Sequence, residues 1–219
     1  MILTPIAFDC LDEQLDHFAE GLQNQPLAQM VFMRIAATKR HVTDPSLALS
    51  TDPNHHRQAV ALCHAFGMET IDAPPAQGFT WDGRSVWVGC EPSVIIHEVA
   101  HLQCASPSRR GTLDFGLGAG PETGRRDEAD GAAAVFGLER DQEEALASLL
   151  GVLWEVALEQ PAILAFLEQN WLEGGASPLN RDHFLKNLAI LRHNGLIDAE
   201  GHPTKALREE EDSRIFYLY

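Results

Sequence analysis

Two histidines four positions apart, with a glutamate directly after the first, form the part of this sequence best suited to chemistry. They are His97, Glu98 and His101, in the apolar run Val94-Ile95-Ile96-His97-Glu98-Val99-Ala100-His101. On an α-helix with about 3.6 residues per turn, His97 and His101 share a face, so both imidazoles can bind one metal ion. Glu98 then projects beside that ion, where it could act as general acid or base. The spacing therefore predicts a metal centre on a largely buried helix.

A stable site needs a third protein ligand in addition to the two histidines. A glutamate from a later helix is the expected type, and three candidates occur: Glu128, Glu139 and Glu144. We favour Glu144, because Ser148 and Gly151 follow it at helical spacing and would let its helix approach the first one closely. Its segment also resembles the part of thermolysin-like gluzincins that completes their zinc site. Glu128 is the second choice.

The elements that must hold these residues are mostly helices. Apolar residues recur at helical spacing in two pieces within the first fifty residues, over a long stretch from 141 to 160, and in a final helix from 181 to 193. The metal-binding helix is expected to begin at Pro92 or Ser93, residue types that suit the start of a helix. A glycine-rich passage from Gly116 to Gly124 predicts a loop over the site.

A short β element is expected directly before the metal-binding helix. Asp82-Gly83 separates Phe79-Thr80-Trp81 from the run Arg84 to Gly89, and an Asp-Gly pair between aromatic and β-branched runs is a strong hairpin signal. Zincin metalloproteases have an edge strand at the same place, where it holds an extended substrate. The predicted fold class is α+β, mainly helical, with a small β-sheet or hairpin preceding the metal-binding helix.

Three segments are expected to pack into one compact unit. They are an N-terminal helical extension (1–55), a metal-binding core (56–175) and a C-terminal helical segment with a tail (176–219). Gly174 to Pro178 is the clearest linker. The charged run Arg208 to Asp212 predicts a solvated stretch, and the apolar end from Ile215 to Tyr219 is expected to dock on the body or on a partner subunit.

Composition limits the partners and the compartment. The chain has 219 residues, 45% of them hydrophobic and 22% charged, as in ordinary globular domains. A formal net charge of -16 disfavours binding to nucleic acid or to anionic membranes, since both are negative. No signal peptide or membrane-spanning run is evident, and the four cysteines lack C-x-x-C spacing. These features predict a cytoplasmic protein with reduced thiols.

Between Ile96 and Gly116 the sequence resembles the bacterial elongation factor P hydroxylase family. The resemblance rests on the two histidines and Glu98, followed at matching spacings by Ala105, Arg109-Arg110 and Asp114-Phe115-Gly116. Pro121 and Gly124-Arg125 are similar to the loop that follows in that family. A weaker similarity extends over roughly residues 60 to 195.

The resemblance implies a compact zincin-like α+β fold and a metal held by His97, His101 and a glutamate. It also implies oxygen-dependent hydroxylation of a modified lysine on elongation factor P. Two histidines and one carboxylate are the ligand set of non-haem iron oxygenases, so this chemistry is feasible. By position in the family, Glu139 could replace Glu144 as the ligand. Leu102 stands where the family has an aromatic residue, so the metal site carries over better than the substrate specificity.

Arg109, Arg110 and Asp114 are the candidate substrate-binding residues. The two arginines could dock an acidic protein such as elongation factor P on an otherwise negative enzyme, and Asp114 could pair with one of them to fix the loop.

Two other functions use the same metal site, which would hold a divalent ion, iron or zinc. One is a zincin-like zinc metallopeptidase acting on proteins or peptides, in which Glu98 activates water. The other is a noncatalytic module whose metal stabilises the fold.

Overall fold

The computed structural model describes residues 11–44, 46, 48–172 and 177–211. Within these residues the fold is mainly helical with one small sheet, which confirms the predicted α+β class. The helices are α1 (Leu11–Glu20), α2 (Pro26–Ala37), α3 (Pro53–Ala65), α4 (Pro92–Cys104), α5 (Arg126–Gly131), α6 (Gly137–Ala157), α7 (Ala162–Glu168) and α8 (Pro178–His193). The strands are β1 (Glu69–Ile71) and β2 (Ser85–Trp87).

Helices α1 and α2 confirm the two helical pieces predicted near the N-terminus, and an aromatic cluster joins them to later helices. Phe18 of α1 stacks on Phe32 of α2 with ring centroids 4.4 Å apart. Its edge contacts Phe166 of α7 and Phe184 of α8, at centroid distances of 6.3 and 5.7 Å. All four rings belong to one hydrophobic core that continues to α4 and α6, so the N-terminal helices pack on the same core as the predicted metal helix.

The sheet before α4 differs from the predicted hairpin. Strand β2 pairs in parallel with β1, and the Asp82-Gly83 turn leaves one antiparallel bridge, between Trp81 and Val86. Gly83 has φ +94°, and the Asp82 side chain accepts hydrogen bonds from the backbone N–H groups of Arg84 and Ser85. The turn is therefore as expected, but the regular partner of β2 comes from the segment after α3.

Helix α4 begins at Pro92, as predicted, and is buried on almost every side. Proline is well placed in the first turn, because the N–H that it lacks has no partner inside the helix. The buried apolar side chains of α4 include Ile95, Ile96, Val99, Ala100, Leu102 and Cys104. Helix α6 runs across α4 with Gly151 at the crossing. The predicted close approach of these helices is therefore observed at Gly151.

The later helices confirm the predicted elements with shifted boundaries. Helix α6 begins at Gly137, four residues before the predicted start at 141, and ends at Ala157, three residues before the predicted end at 160. Helix α8 begins at Pro178, three residues before Arg181, because Ser177 caps it by accepting a hydrogen bond from the Asn180 N–H. It ends at His193, as predicted. Within the described residues no helix is both long and apolar enough to cross a membrane.

The C-terminal segment packs behind α4 and corrects one prediction. Arg208, expected in a solvated charge run, is only 3% exposed, because its guanidinium donates to Cys104 O and lies near a buried glutamate. Gln103 of α4 donates through Nε2 to the carbonyl groups of Thr204 and Ala206. The predicted linker residues 174–176 and the apolar end 215–219 lie outside the described residues.

Candidate metal centre

The two histidines of α4 and Glu144 of α6 converge at one point. Glu144 Oε2 lies 3.7 Å from His97 Nε2 and 3.4 Å from His101 Nε2. One ligand atom from each residue lies within 4.8 Å of the other two. Two imidazole nitrogens and one carboxylate oxygen are a suitable donor set for a divalent transition metal. These three residues could hold a metal ion.

The charges in this group depend on one another. Burial acts to lower the pKa of His101, but the carboxylates of Glu144, Glu98 and Glu143 raise it to about 9. The pKa of His97 is lowered by burial and by the neighbouring His101. Although burial acts to raise it, the two imidazoles hold the pKa of Glu144 well below its usual range. The carboxylate thus favours ionisation, the form needed to bind a metal.

Helix packing explains why the ligands meet. His97 and His101 are one helical turn apart, with ring centroids separated by 4.4 Å. Gly151 allows α6 to lie against the backbone of His97, which brings Glu144 over the two rings. His97 Nδ1 and His101 Nδ1 are buried without a hydrogen-bond partner among the described residues. Both rings therefore direct Nε2 to the shared carboxylate and keep Nδ1 in the protein interior.

The other two glutamates considered for the third ligand do not join this group. Glu128 is exposed on α5 and pairs with Arg125. Glu139 lies in the first turn of α6, and it too is absent from the residues whose ligand atoms converge. Within the described residues, only Glu144 completes a group with the two histidines.

A cavity of about 810 Å³ opens over the three candidate ligands. Glu98 forms part of its wall, as expected, although only 5% of the residue is exposed. Burial raises the pKa of Glu98 to about 8, and Asp114 and Glu144 add to the increase while His101 opposes it. A carboxyl group that exchanges protons near neutral pH beside the candidate ligands is suited to acid–base chemistry.

The Asp114-Phe115-Gly116 segment forms one side of the cavity in an unusual backbone conformation. All three residues have positive φ, at 41°, 52° and 72°. Left-handed backbone is unfavourable for phenylalanine by roughly 1–2 kcal/mol, so neighbouring contacts must hold it. Phe115 is stacked between Trp81, 5.1 Å away, and His101, 5.8 Å away. The ring thereby supports the second histidine of the candidate centre.

Asp114 anchors this segment and also lines the cavity. Its Oδ1 accepts from Thr80 Oγ1 and from the Trp81 N–H, and its Oδ2 accepts from Thr123 Oγ1. The sequence-based expectation was a pairing with Arg109 or Arg110. The structure instead shows Asp114 bound to uncharged donors.

The two arginines bind groups of the chain itself. Arg109 donates to the carboxylate of Glu143 and, at 2.6 Å, to the Phe115 carbonyl. Arg110 donates to the carbonyl groups of Leu102 and Arg208. Neither arginine lines the cavity. Of the three predicted substrate-binding residues, the structure brings only Asp114 to the candidate site.

The far wall of the cavity was not anticipated from the sequence. It comes from the end of α7 and from α8, with Trp171 and His183 stacked at 5.0 Å. Trp171 Nε1 donates to Ser148 Oγ, which donates in turn to Gln169. Helical periodicity predicts which face of a helix is buried but not which residues line a cavity, so neither residue is among the predicted site residues. The signal that could have indicated this wall is the pair of polar residues, Gln169 and Asn170, directly before Trp171.

Comparison with protein-family models, with curated proteins and with solved structures finds no match to this chain. The candidate site therefore has to be interpreted from its own residues.

Proposed function

We propose that this protein is a metal-dependent hydroxylase with a zincin-like metal centre, of the elongation factor P hydroxylase type. The observation that carries the proposal is the position of Asp114 and Phe115. These residues belong to the sequence motif outside the HExxH helix that resembles that family. Both residues line the cavity, and Phe115 also stacks on His101. If the sequence similarity were a coincidence, these residues would not be expected to line the cavity over the candidate ligands.

His97, His101 and Glu144 would hold the metal, and iron is the ion that suits this reaction. When bound, it would supply the activation of O2 that a C–H hydroxylation requires. One oxygen atom enters the C–H bond and the other leaves as water, with two electrons and two protons supplied by an external reductant. Glu98, in the cavity wall, is the residue of this chain best placed to transfer a proton.

The charge of the cavity favours a substrate with a positive side chain. Its described lining includes Glu98, Asp114, Glu122 and Glu168 in addition to the ligand Glu144, and it includes no lysine or arginine. A modified lysine that carries an amino group complements such a wall.

The metallopeptidase alternative has less support. A zincin-like peptidase would need the strand before α4 to have a free edge that binds an extended substrate. In the structure β1 occupies one edge of β2, and Trp81 bridges to Val86 at the other. Strand β2 also does not line the cavity. The same histidines and Glu98 would nevertheless suit peptide hydrolysis, so the test below includes it.

The test starts with the metal content of protein purified without added metal, measured by mass spectrometry. The protein is then loaded separately with Fe²⁺ and Zn²⁺ and incubated with elongation factor P that carries its modified lysine. The expected result is a mass increase of one oxygen atom, dependent on Fe²⁺, O2 and a reductant. Glu144→Ala serves as the metal-deficient control, and Glu128→Ala as the matched surface control.

Other outcomes would contradict the proposal. Zinc together with cleavage of unstructured peptides would favour the metallopeptidase. A metal that raises the unfolding temperature, without reaction on either substrate, would favour the noncatalytic module. If the protein binds none of these metal ions, all three functions are excluded.

A further inference from the structure

A carboxylate next to the candidate ligand Glu144 is fully enclosed by protein. Glu143 is 0% exposed, whereas the side chain of Glu144 is 41% exposed. Consecutive residues on an α-helix point about 100° apart, so Glu143 turns from the cavity into the protein while Glu144 faces the histidines. An enclosed carboxylate of this kind is costly unless it is paired.

Two arginines from distant parts of the chain supply the pairing. Arg109 comes from the loop after α4 and binds Glu143 directly, and it also holds the Phe115 carbonyl. Arg208 comes from the C-terminal segment, with Nη1 3.7 Å from Glu143 Oε2. Both guanidinium groups are largely buried, with side-chain exposures of 11% and 1%. Glu143, Arg109 and Arg208 thus connect α6 to the loop after α4 and to the C-terminal segment.

The link from Glu143 to His101 runs through Arg109 and Phe115. Glu143 Oε1 is the only fully buried carboxylate oxygen without a hydrogen-bond partner among the described residues. The bonded oxygen, Oε2, accepts from Arg109, which also donates to the Phe115 carbonyl, and the Phe115 ring stacks on His101. Residues that surround a metal site in this way usually orient its ligands.

We propose that Glu143, held by Arg109 and Arg208, is a positioning residue that fixes the α6 turn carrying Glu144 and, through Arg109 and Phe115, the orientation of His101. The inference rests on the metal centre of the proposed function, but not on the reaction assigned to it. Glu143 acts through the ligands and does not touch substrate.

The experiment uses Co²⁺ as the probe, because its visible absorption bands report ligand geometry. Wild type, Glu143→Gln and Glu155→Gln are compared as full chains after circular dichroism has shown that each is folded without metal. Glu155 is the matched control, because it is a buried carboxylate of the same helix outside the candidate ligand group. We expect Glu143→Gln to lower Co²⁺ affinity by about 10–100-fold and to shift the absorption bands. Glu155→Gln should change neither.

A second pair of variants covers the case in which Glu143→Gln does not fold. Arg208→Met leaves the Arg109–Glu143 pair in place, and we expect a smaller loss of affinity with a band shift in the same direction. Arg208→Lys restores the charge and should recover most of the affinity. Wild-type affinity and spectrum in either Glu143→Gln or Arg208→Met would overturn the inference, as would an equal loss in Glu155→Gln. Failure of the wild type to bind Co²⁺ would instead count against the metal centre itself.

Discussion

Gly151 of α6 lies directly against His97 of α4. A methyl group at Gly151 would be 3.5 Å from the His97 Cα and 3.9 Å from its Nδ1, which is ordinary van der Waals contact. The two helices are therefore as close as an alanine permits, and a larger residue at this position would have to separate them.

The first prediction compares two substitutions at this crossing. Gly151→Ala should retain metal binding and stabilise the protein by about 0.5–1 kcal/mol, because glycine in a helix interior is less favourable than alanine. Gly151→Val should cost about 1–3 kcal/mol through overpacking and should weaken metal binding by moving Glu144 from the histidines. Denaturant unfolding and metal titration measure both effects. Equal metal affinity in the two variants would contradict the argument.

The second prediction concerns the choice of the third ligand. Glu144→Ala should reduce metal affinity by more than the roughly 10–100-fold typical of outer partners, because it removes one of three donors. Glu128→Ala should have no effect, since Glu128 makes only a surface pair with Arg125. Isothermal titration with Zn²⁺ distinguishes them. A loss confined to Glu128→Ala would reverse the assignment.

Local spacing, together with the resemblance of the Glu144 segment to gluzincins, predicted the candidate ligand group that the structure brings together. The shared face of His97 and His101 follows from helical periodicity, and the small residue Gly151 indicated which later helix could come close. The sheet could not be predicted in the same way. Strand β1 has three residues, too few to show a period, and its pairing with β2 depends on how α3 packs.

Long-range contacts explain the remaining differences between sequence and structure. Arg208 stands in a run of charged residues, where exposure is the ordinary expectation, and its buried partners, Cys104 and Glu143, lie 104 and 65 positions earlier. The left-handed backbone of Phe115 likewise depends on Trp81 and His101. Neither feature leaves a local signal in the sequence.

The third prediction concerns the anchor of the loop beside the candidate centre. Asp114→Ala removes the acceptor of three hydrogen bonds in a buried place, and we expect a loss of about 2–4 kcal/mol in the free energy of unfolding. Asp114→Asn should lose less, because asparagine tolerates positive φ and keeps one carbonyl oxygen. Denaturant titration of both variants measures the difference. An Asn variant as unstable as the Ala variant would contradict this account.

The fourth prediction is a pH dependence that arises away from the metal. Burial raises the pKa of Glu155 to about 8. The unfolded chain has the ordinary glutamate value near 4.3, so the folded state binds the proton more tightly. The stability contributed by the protonated form is complete below about pH 4 and is lost as pH rises towards 8.

Glu155→Gln should remove this dependence. At pH 8 to 9 the variant should be more stable than wild type by about 5 kcal/mol, with the difference shrinking as pH falls towards 5. Thermal unfolding of both proteins across this range checks the sign. A constant difference at every pH would show that Glu155 does not keep its proton in the folded state.

The hydrogen bonds between Gln103 and the carbonyl groups of Thr204 and Ala206 also affect the order of assembly. They join residues 101 and 103 positions apart, and Arg208 reaches Glu143 over sixty-five positions. During synthesis, α4 leaves the ribosome long before the segment that covers its back. Contacts between such distant residues form slowly. The back of α4 therefore stays uncovered until about a hundred further residues have been made.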